Sequence, residues 1–127
     1  MTVDEISALV LREAIGIHRE LGPGLFESVY EAVLAARLEK AAIKVRRQVP
    51  VPIIVDDLTF DAAFKIDLLV QDQLVVEIKS VEQLSKVHTK QVLTYLRLMK
   101  LPLGLLLNFS GETMKEGIRR VVNDHRP

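Results

Sequence analysis

The chain has 127 residues with 17 basic and 17 acidic side chains, so its formal net charge at pH 7 is zero. This length predicts one domain over residues 1–127, large enough to bury a core without cross-links. The chain contains no cysteine, which excludes a disulfide scaffold, a zinc finger and a thiol nucleophile. No apolar run approaches the ~18 residues that span a bilayer, and the acidic start lacks the basic segment of a secretory signal. We therefore expect no membrane association and a cytoplasmic location.

The balanced charge hides an uneven distribution along the chain. Acidic residues outnumber basic ones in segments 1–31 and 48–84, whereas basic residues predominate in 32–47 and 85–127. Blocks of this kind arise by chance on ordinary surfaces. They are also what a metal site facing a polyanion would produce, so the charge alone leaves nucleic-acid binding open.

Two helices are predicted at the start of the chain. Thr2 and Glu5 have the spacing of a capping box, and apolar residues at helical spacing then predict a helix over 3–20, which ends at Gly22. A second helix is predicted over 25–41, with an apolar face that we expect to be buried. That face consists of Phe26, Val29, Val33, Leu34 and Leu38.

The pattern then changes to that of a β-sheet. Segment 44–55 is rich in Val, Ile and Pro, and its prolines predict an edge strand because they lack a ladder donor. Two more strands are predicted over 58–70 and 74–80. The remaining elements are a predicted helix over 85–100, an apolar strand over 103–109 covered on both faces, and a strand-like piece over 118–122. The order α-α-β-β-β-α-β with a small tail predicts an α/β fold, a small mixed sheet flanked by helices.

The two central strands carry the most informative residues, because strand alternation separates an apolar face from a charged one. A three-residue connection centred on Asp72 predicts that Ile66 meets Ile78 on the apolar face. The same register places Asp67 opposite Glu77, and a shift by one residue would mix the two faces. The sequence therefore predicts that these two carboxylates converge.

Carboxylates that face each other destabilise a sheet unless their charge is neutralised. A shared proton would neutralise them, and so would a hard divalent cation such as Mg²⁺ or Mn²⁺. Lys79 projects on the same face as Glu77, where it could orient a water or stabilise charge on a phosphate. The alternative is a solvated face with scattered charges, which the apolar neighbours Leu69 and Val75 disfavour.

The spacing of Asp67, Glu77 and Lys79 resembles the metal-site signature of the PD-(D/E)XK nuclease superfamily. The predicted order of elements resembles the restriction-endonuclease-like core of that superfamily. More narrowly, Gly-Leu-Phe-Glu-Ser-Val-Tyr at 24–30 resembles the motif that names the GxxExxY proteins, and the likeness extends over nearly the whole chain. Ile66 stands where the superfamily name has proline, at a position that supplies no ligand.

The resemblance implies metal-dependent hydrolysis of phosphodiester bonds in DNA, in preference to RNA. It implies that Asp67 and Glu77 hold Mg²⁺ or Mn²⁺, that Glu27 from the second helix completes the metal site, and that Lys79 is catalytic. For Glu27, the alternative is a first-turn glutamate that complements the helix dipole. Tyr30, which shares a helix face with Glu27, is expected to pack and hydrogen-bond within the site and not to react.

The third predicted helix presents His88, Gln91 and Tyr95 in a single polar stripe. Gln91 and Tyr95 resemble the QxxxY element of RecB-like nucleases, which lies near the metal and the substrate backbone. We therefore expect these three side chains, with Tyr30, to contact the substrate. For His88, the alternative is a surface histidine with no role in binding.

Two groups of basic side chains could contact a phosphate backbone, although a solvated face also explains each group. They are Arg37, Lys40, Lys44, Arg46 and Arg47, and, on the third helix, Lys86, Lys90, Arg97 and Lys100. Neither group is interleaved with aromatic residues, so base stacking is not predicted. We expect weak, metal-aided binding of nucleic acid, or a homodimer that pools two basic patches. The alternative function is a non-catalytic module that keeps the fold to bind protein or nucleic acid.

Overall fold

A computed structural model describes residues 1–125, which form a five-stranded sheet with helices on both faces. In chain order the elements are α1 (Val3–Leu21), α2 (Glu27–Lys40), β1 (Val45–Val55), β2 (Leu58–Val70), β3 (Leu74–Lys79), α3 (Lys86–Met99), β4 (Leu103–Asn108), a 3₁₀ turn (Lys115–Gly117) and β5 (Ile118–Val122). The strands lie in the order β1-β2-β3-β4-β5. Neighbours are antiparallel except β3 and β4, which are parallel. The predicted α/β fold is confirmed, and the strand-like tail joins the sheet as its fifth strand.

The first helix begins and ends where the sequence predicts. The backbone N–H of Glu5 donates to Thr2 Oγ1 at 3.1 Å, and the N–H of Thr2 donates to Glu5 Oε1 at 2.9 Å, which is the expected capping box. Gly22 follows the last turn with a φ of 71°, a left-handed value that favours glycine. Within residues 1–125, no helix combines the length and apolar character needed to cross a bilayer.

The second helix starts later than predicted, and part of its expected apolar face lies in solvent. Phe26 caps the helix in an extended conformation, and its side chain is 83% exposed. Val29 is also exposed, so the prediction that these two residues lie in the core is wrong. The buried row begins one turn inside the helix with Tyr30 and continues at i+4 and i+8 with Leu34 and Leu38.

Two apolar clusters lie on opposite faces of the sheet. The helices α1 and α2 cover one face, and α3 packs on the other through Val92 and Leu96. Every residue of β4 is buried, which confirms the prediction that this strand is covered on both sides. Gly104 in β4 permits the close approach of α3, because a Cβ atom there would lie 2.8 Å from Val92 Cγ1.

Candidate active site

The antiparallel pairing of β2 and β3 follows the predicted register but ends early. Leu68 lies opposite Val76, and this is the last pair, whereas the sequence predicted that the ladder would continue past Asp67. Beyond that pair, β3 remains hydrogen-bonded to β4 as far as Lys79 opposite Asn108. The strands β2 and β3 therefore diverge and leave a fork between them.

The carboxylates of Asp67 and Glu77 occupy this fork. The N–H of Ile78 donates to Asp67 Oδ2 at 2.8 Å, and the N–H of Asp67 donates to Glu77 Oε1 at 3.1 Å. Each carboxylate thus accepts a backbone donor from the opposite strand, and these bonds take the place of ladder bonds. The predicted convergence of the two side chains is confirmed, and their bonding also explains why the ladder stops.

One expected contact across the two strands is absent because of the fork. Ile66 packs with Leu69 and Val75 in the cluster under α3, whereas Ile78 belongs to the cluster under α1 and α2. The prediction that Ile66 meets Ile78 on one apolar face is therefore wrong. Because β2 is no longer paired with β3 at Ile66, it can twist together with β1, its other neighbour. In that pairing Val49 of β1 lies opposite Ile66.

Burial gives Glu77 an unusual charge state. Its side chain is 7% exposed, and burial, followed by the negative charge of Asp67, raises the pKa of Glu77 to about 8. The positive charge of Lys79 opposes this shift only in part. A buried carboxylate beside a second one is therefore protonated at neutral pH unless a cation replaces the proton.

Glu27 lies at the end of β3 and not in the fork. Its Oε1 accepts the N–H of Ser80 at 3.1 Å, directly after Lys79 in the chain. It also borders an open cleft of about 800 Å³. Within residues 1–125, no group of three histidine or carboxylate side chains is arranged to hold a metal ion. The three predicted metal ligands thus divide into a convergent pair, Asp67 and Glu77, and a neighbouring Glu27.

Tyr30 lies in the core and not at a substrate surface. Its ring is fully buried and stacks on Phe109 with the ring centroids 4.3 Å apart. Its hydroxyl donates to the carbonyl of Gly22 at 2.6 Å and accepts the N–H of Leu25 at 3.1 Å. Tyr30 therefore packs and hydrogen-bonds as predicted and holds the loop that leads to Glu27, but its full burial does not fit the predicted substrate contact.

The three side chains of the polar stripe on α3 lie in three different environments. Tyr95 is half-buried and stacks on Phe64, with the ring centroids 4.1 Å apart. Its pKa is raised by burial and then by the charges of Glu77 and Asp67, so it lies close to the fork. Gln91 is exposed one turn earlier. His88 Nδ1 accepts the N–H of Ser85 at 3.0 Å and so caps the helix, in keeping with the alternative interpretation of this residue.

Gln48 connects Asp67 to the second helix, and no sequence pattern identified it. Its Nε2 donates to Glu31 Oε1 at 2.7 Å and to Asp67 Oδ1 at 3.2 Å. Glu31 is buried and also accepts two bonds from Arg47, at 3.1 and 2.9 Å. Glu31 could have been suspected because it follows Glu27 by one turn on the same helix face.

The backbone at Gln48 is strained where its side chain bonds to Glu31 and Asp67. Its φ is 49° in the middle of β1, a left-handed value that is costly for a residue with a side chain. The flanking residues Arg47 and Val49 pair regularly with β2, and Gln48 itself is absent from the ladder. The side-chain bonds to Glu31 and Asp67 compensate for this distortion.

We expect Gln48→Leu to lower the free energy of unfolding by about 1–2 kcal/mol, because buried Glu31 and half-buried Asp67 each lose a donor. Urea denaturation monitored by circular dichroism would measure the change. Gln83→Leu, in an exposed loop, is the matched control and should be nearly neutral. Equal effects of the two substitutions would show that the Gln48 bonds contribute nothing to stability.

Helices on both sides of a mixed sheet, with a carboxylate pair in a strand fork and a lysine just beyond it, define a nuclease-like α/β protein. The family model for the PD-(D/E)XK nuclease superfamily matches residues 4–121. The chain belongs to this superfamily.

Comparison with solved structures supports the same architecture. The chain is similar to the protein in a structure described as "Crystal structure of SSO0001", with a TM-score of 0.57 and 15% sequence identity. The match covers 78% of this chain and 50% of that one, so the chain spans half the length of the protein it resembles. At this identity the likeness shows the fold alone. No curated protein matches the chain significantly.

Proposed function

We propose that the chain is a metal-dependent nuclease of the GxxExxY group that hydrolyses phosphodiester bonds of DNA in preference to RNA. The observation that carries the proposal is the convergence of Asp67 and Glu77 in the strand fork, with Lys79 two residues further along β3. Membership of the nuclease superfamily supports it. We propose further that one domain of cytoplasmic location carries the activity.

The donor set fits a hard divalent cation, because carboxylate oxygens are the ligands that Mg²⁺ and Mn²⁺ prefer. We propose that Asp67 and Glu77 hold the ion and that Glu27 completes the site from α2. When bound, the ion lowers the pKa of a water and offsets charge on the phosphate. The buried, protonated Glu77 would release its proton as the cation binds.

Lys79 would act on the attacking water or on the charged phosphate. Its backbone is fixed on the side of β4, where the N–H of Phe109 donates to its carbonyl at 2.9 Å. A preorganised ammonium group stabilises negative charge that develops in the transition state. In the hydrolysis the water oxygen bonds to phosphorus, the ester P–O bond breaks, and the water's proton passes to the leaving oxygen.

The α3 surface is the better of the two basic groups for contact with phosphate. In the described part of the chain its basic residues form no ion pairs, and all are exposed. They are Lys86, Lys90, Arg97 and Lys100. In the other group, Arg37 pairs with Glu20, Arg47 pairs with Glu31, and both Lys44 and Arg46 pair with Asp72. We propose that DNA lies along α3, with Gln91 and Tyr95 nearest the fork.

The test is a cleavage assay with Mn²⁺ on single-stranded, duplex and branched DNA and on RNA. The wild type should cleave DNA, and Glu77→Ala and Lys79→Ala should each lower the rate about 100-fold or more. Glu39→Ala, an exposed position on α2, serves as the control. Cleavage that survives both site substitutions would disprove the mechanism.

The binding module remains the second candidate, because the described residues contain no third carboxylate grouped with the pair. Such a module would bind nucleic acid or protein without any metal-dependent cleavage. Binding of DNA by a wild type that is inactive with both Mg²⁺ and Mn²⁺ would favour this function over the nuclease.

A further inference from the structure

The end of the β1–β2 hairpin projects as an apolar arm. The register of the two strands is irregular between Val51 and Ile53, and we call residues 53–60, beyond this point, the hairpin arm. Large apolar side chains are concentrated there, with Ile54 74% and Leu58 61% exposed. A two-stranded hairpin is marginally stable by itself, and a clustered apolar surface of this kind is typical of an interaction site.

The strand pairing places four of the arm's apolar side chains on one face, whereas Ile54, opposite Thr59, lies on the other face. Val55 lies opposite Leu58, and Ile53 lies opposite Phe60, so all four project to the same side. The turn at the tip is acidic, since it consists of 56–57, which is Asp-Asp. A partner for the arm therefore needs an apolar surface next to positive charge.

Four other modes of contact are disfavoured by the same residues. The acidic tip would repel nucleic acid and an anionic membrane surface. Two arms that met tip to tip would bring Asp56 and Asp57 of both copies together. Strand addition at the edge of β1 is hindered because Pro50 and Pro52 cannot donate backbone hydrogen bonds.

The chain itself carries a surface with the required chemistry. On the outer side of α2, Ala32, Val33 and Ala36 line a mainly apolar groove of about 470 Å³, bordered by Arg37 and Lys40. Lys40 is exposed and forms no ion pair with any described residue. The groove thus matches the arm in both respects, an apolar floor for its face and positive charge for its tip.

We propose that two copies of this chain form a two-fold dimer in which the hairpin arm of each copy docks in the α2 groove of the other. Both contacts are made at once in such a dimer, so the assembly closes at two subunits. The apolar side chains supply the buried centre of each contact, and the Asp–Lys pairs at the tip orient it. This assembly is independent of the proposed nuclease activity.

Sedimentation velocity over a concentration series tests the dimer. The wild type should sediment as a dimer, whereas Leu58→Ser/Phe60→Ser in the arm and Ala36→Glu in the groove should each raise the dissociation constant about 30-fold or more. Ala8→Glu is the matched control for Ala36→Glu, because Ala8 is exposed on α1 and should leave the dimer intact. All substituted side chains of the arm are exposed, so the fold should be unaffected, and circular dichroism would verify this.

A mixing experiment identifies which surfaces meet. The arm variant and the groove variant, both monomeric when alone, should form a heterodimer on mixing, since one intact arm and one intact groove remain. A monomeric wild type would overturn the proposal. So would a dimer that either variant leaves unchanged, or two monomeric variants that do not associate when mixed.

Discussion

Glu77→Gln should make the metal-free protein more stable than the wild type at alkaline pH. The folded wild type holds a proton on Glu77 up to about pH 8, whereas the unfolded chain loses it near the ordinary value of 4.5. Between these two pKa values the folded state binds the extra proton, so stability falls as the pH rises. The amide introduced by the substitution would keep an oxygen to accept the N–H of Asp67 and would carry no charge to bury.

The expected gain of Glu77→Gln is about 4 kcal/mol at about pH 8.5 and close to zero at about pH 4, since one pKa unit corresponds to about 1.36 kcal/mol. Urea unfolding in EDTA at a series of pH values measures it. Glu39→Gln, at an exposed position of α2, should keep the wild-type slope. If the free energies of unfolding of wild type and Glu77→Gln changed in parallel with pH, the pKa of Glu77 would not be raised in the folded protein.

The sequence was sufficient for the architecture because its periodicities were unambiguous. The capping box of Thr2 and Glu5 and the almost wholly apolar sequence of β4 identified elements that the structure contains. The carboxylate pair followed from alternation, since only one register of β2 and β3 keeps the faces apart. These features depend on short-range patterns, which a single sequence displays directly.

What the sequence could not show depends on contacts between distant segments. The ladder stops at Leu68 and Val76 because the side chains of Asp67 and Glu77 take backbone donors, and no periodicity encodes that competition. Gln48 reaches Asp67 from a neighbouring strand through a left-handed backbone, which glutamine does not favour. A local conformation imposed by tertiary contacts is invisible to propensity.

The second helix also shows that burial depends on contacts between distant segments. Phe26 at its N-cap and Val29 in its first turn are apolar residues that an amphipathic pattern assigns to the core, yet both are exposed. Charged Glu31 is buried instead, held by Arg47 and Gln48. Burial of a carboxylate is tolerable only with such partners, and those partners come from β1. Which face of the helix is buried is thus decided by the sheet that the helix covers.

Neutral overall charge is compatible with a nuclease once the charges are placed. The basic residues near 37–47 are largely paired with carboxylates, whereas those of α3 are available to phosphate. The acidic pair in the fork would attract a cation and not the substrate. Binding of DNA should therefore be weak without metal and sensitive to salt.

Asp67→Asn should abolish metal-dependent stabilisation of the protein. The wild type should melt at a higher temperature as Mn²⁺ is added, with a gain of about 2.7 kcal/mol at a metal concentration about 100-fold above Kd. The variant keeps an oxygen that can accept the N–H of Ile78 but loses the charge that would hold the ion. Its melting temperature should stay constant over the same titration, and its cleavage rate should fall about 1,000-fold.

Two comparisons make the Asp67→Asn result specific to the carboxylate pair. Asp61→Asn, at an exposed position of β2, should respond to Mn²⁺ as the wild type does. In EDTA, Asp67→Asn should retain part of the pH dependence that Glu77→Gln removes, because burial contributes more than Asp67 to the raised pKa of Glu77. The fork would be excluded as the metal site if the melting temperature of the wild type did not change with Mn²⁺. It would also be excluded if Mn²⁺ raised the melting temperature of Asp67→Asn as much as that of the wild type.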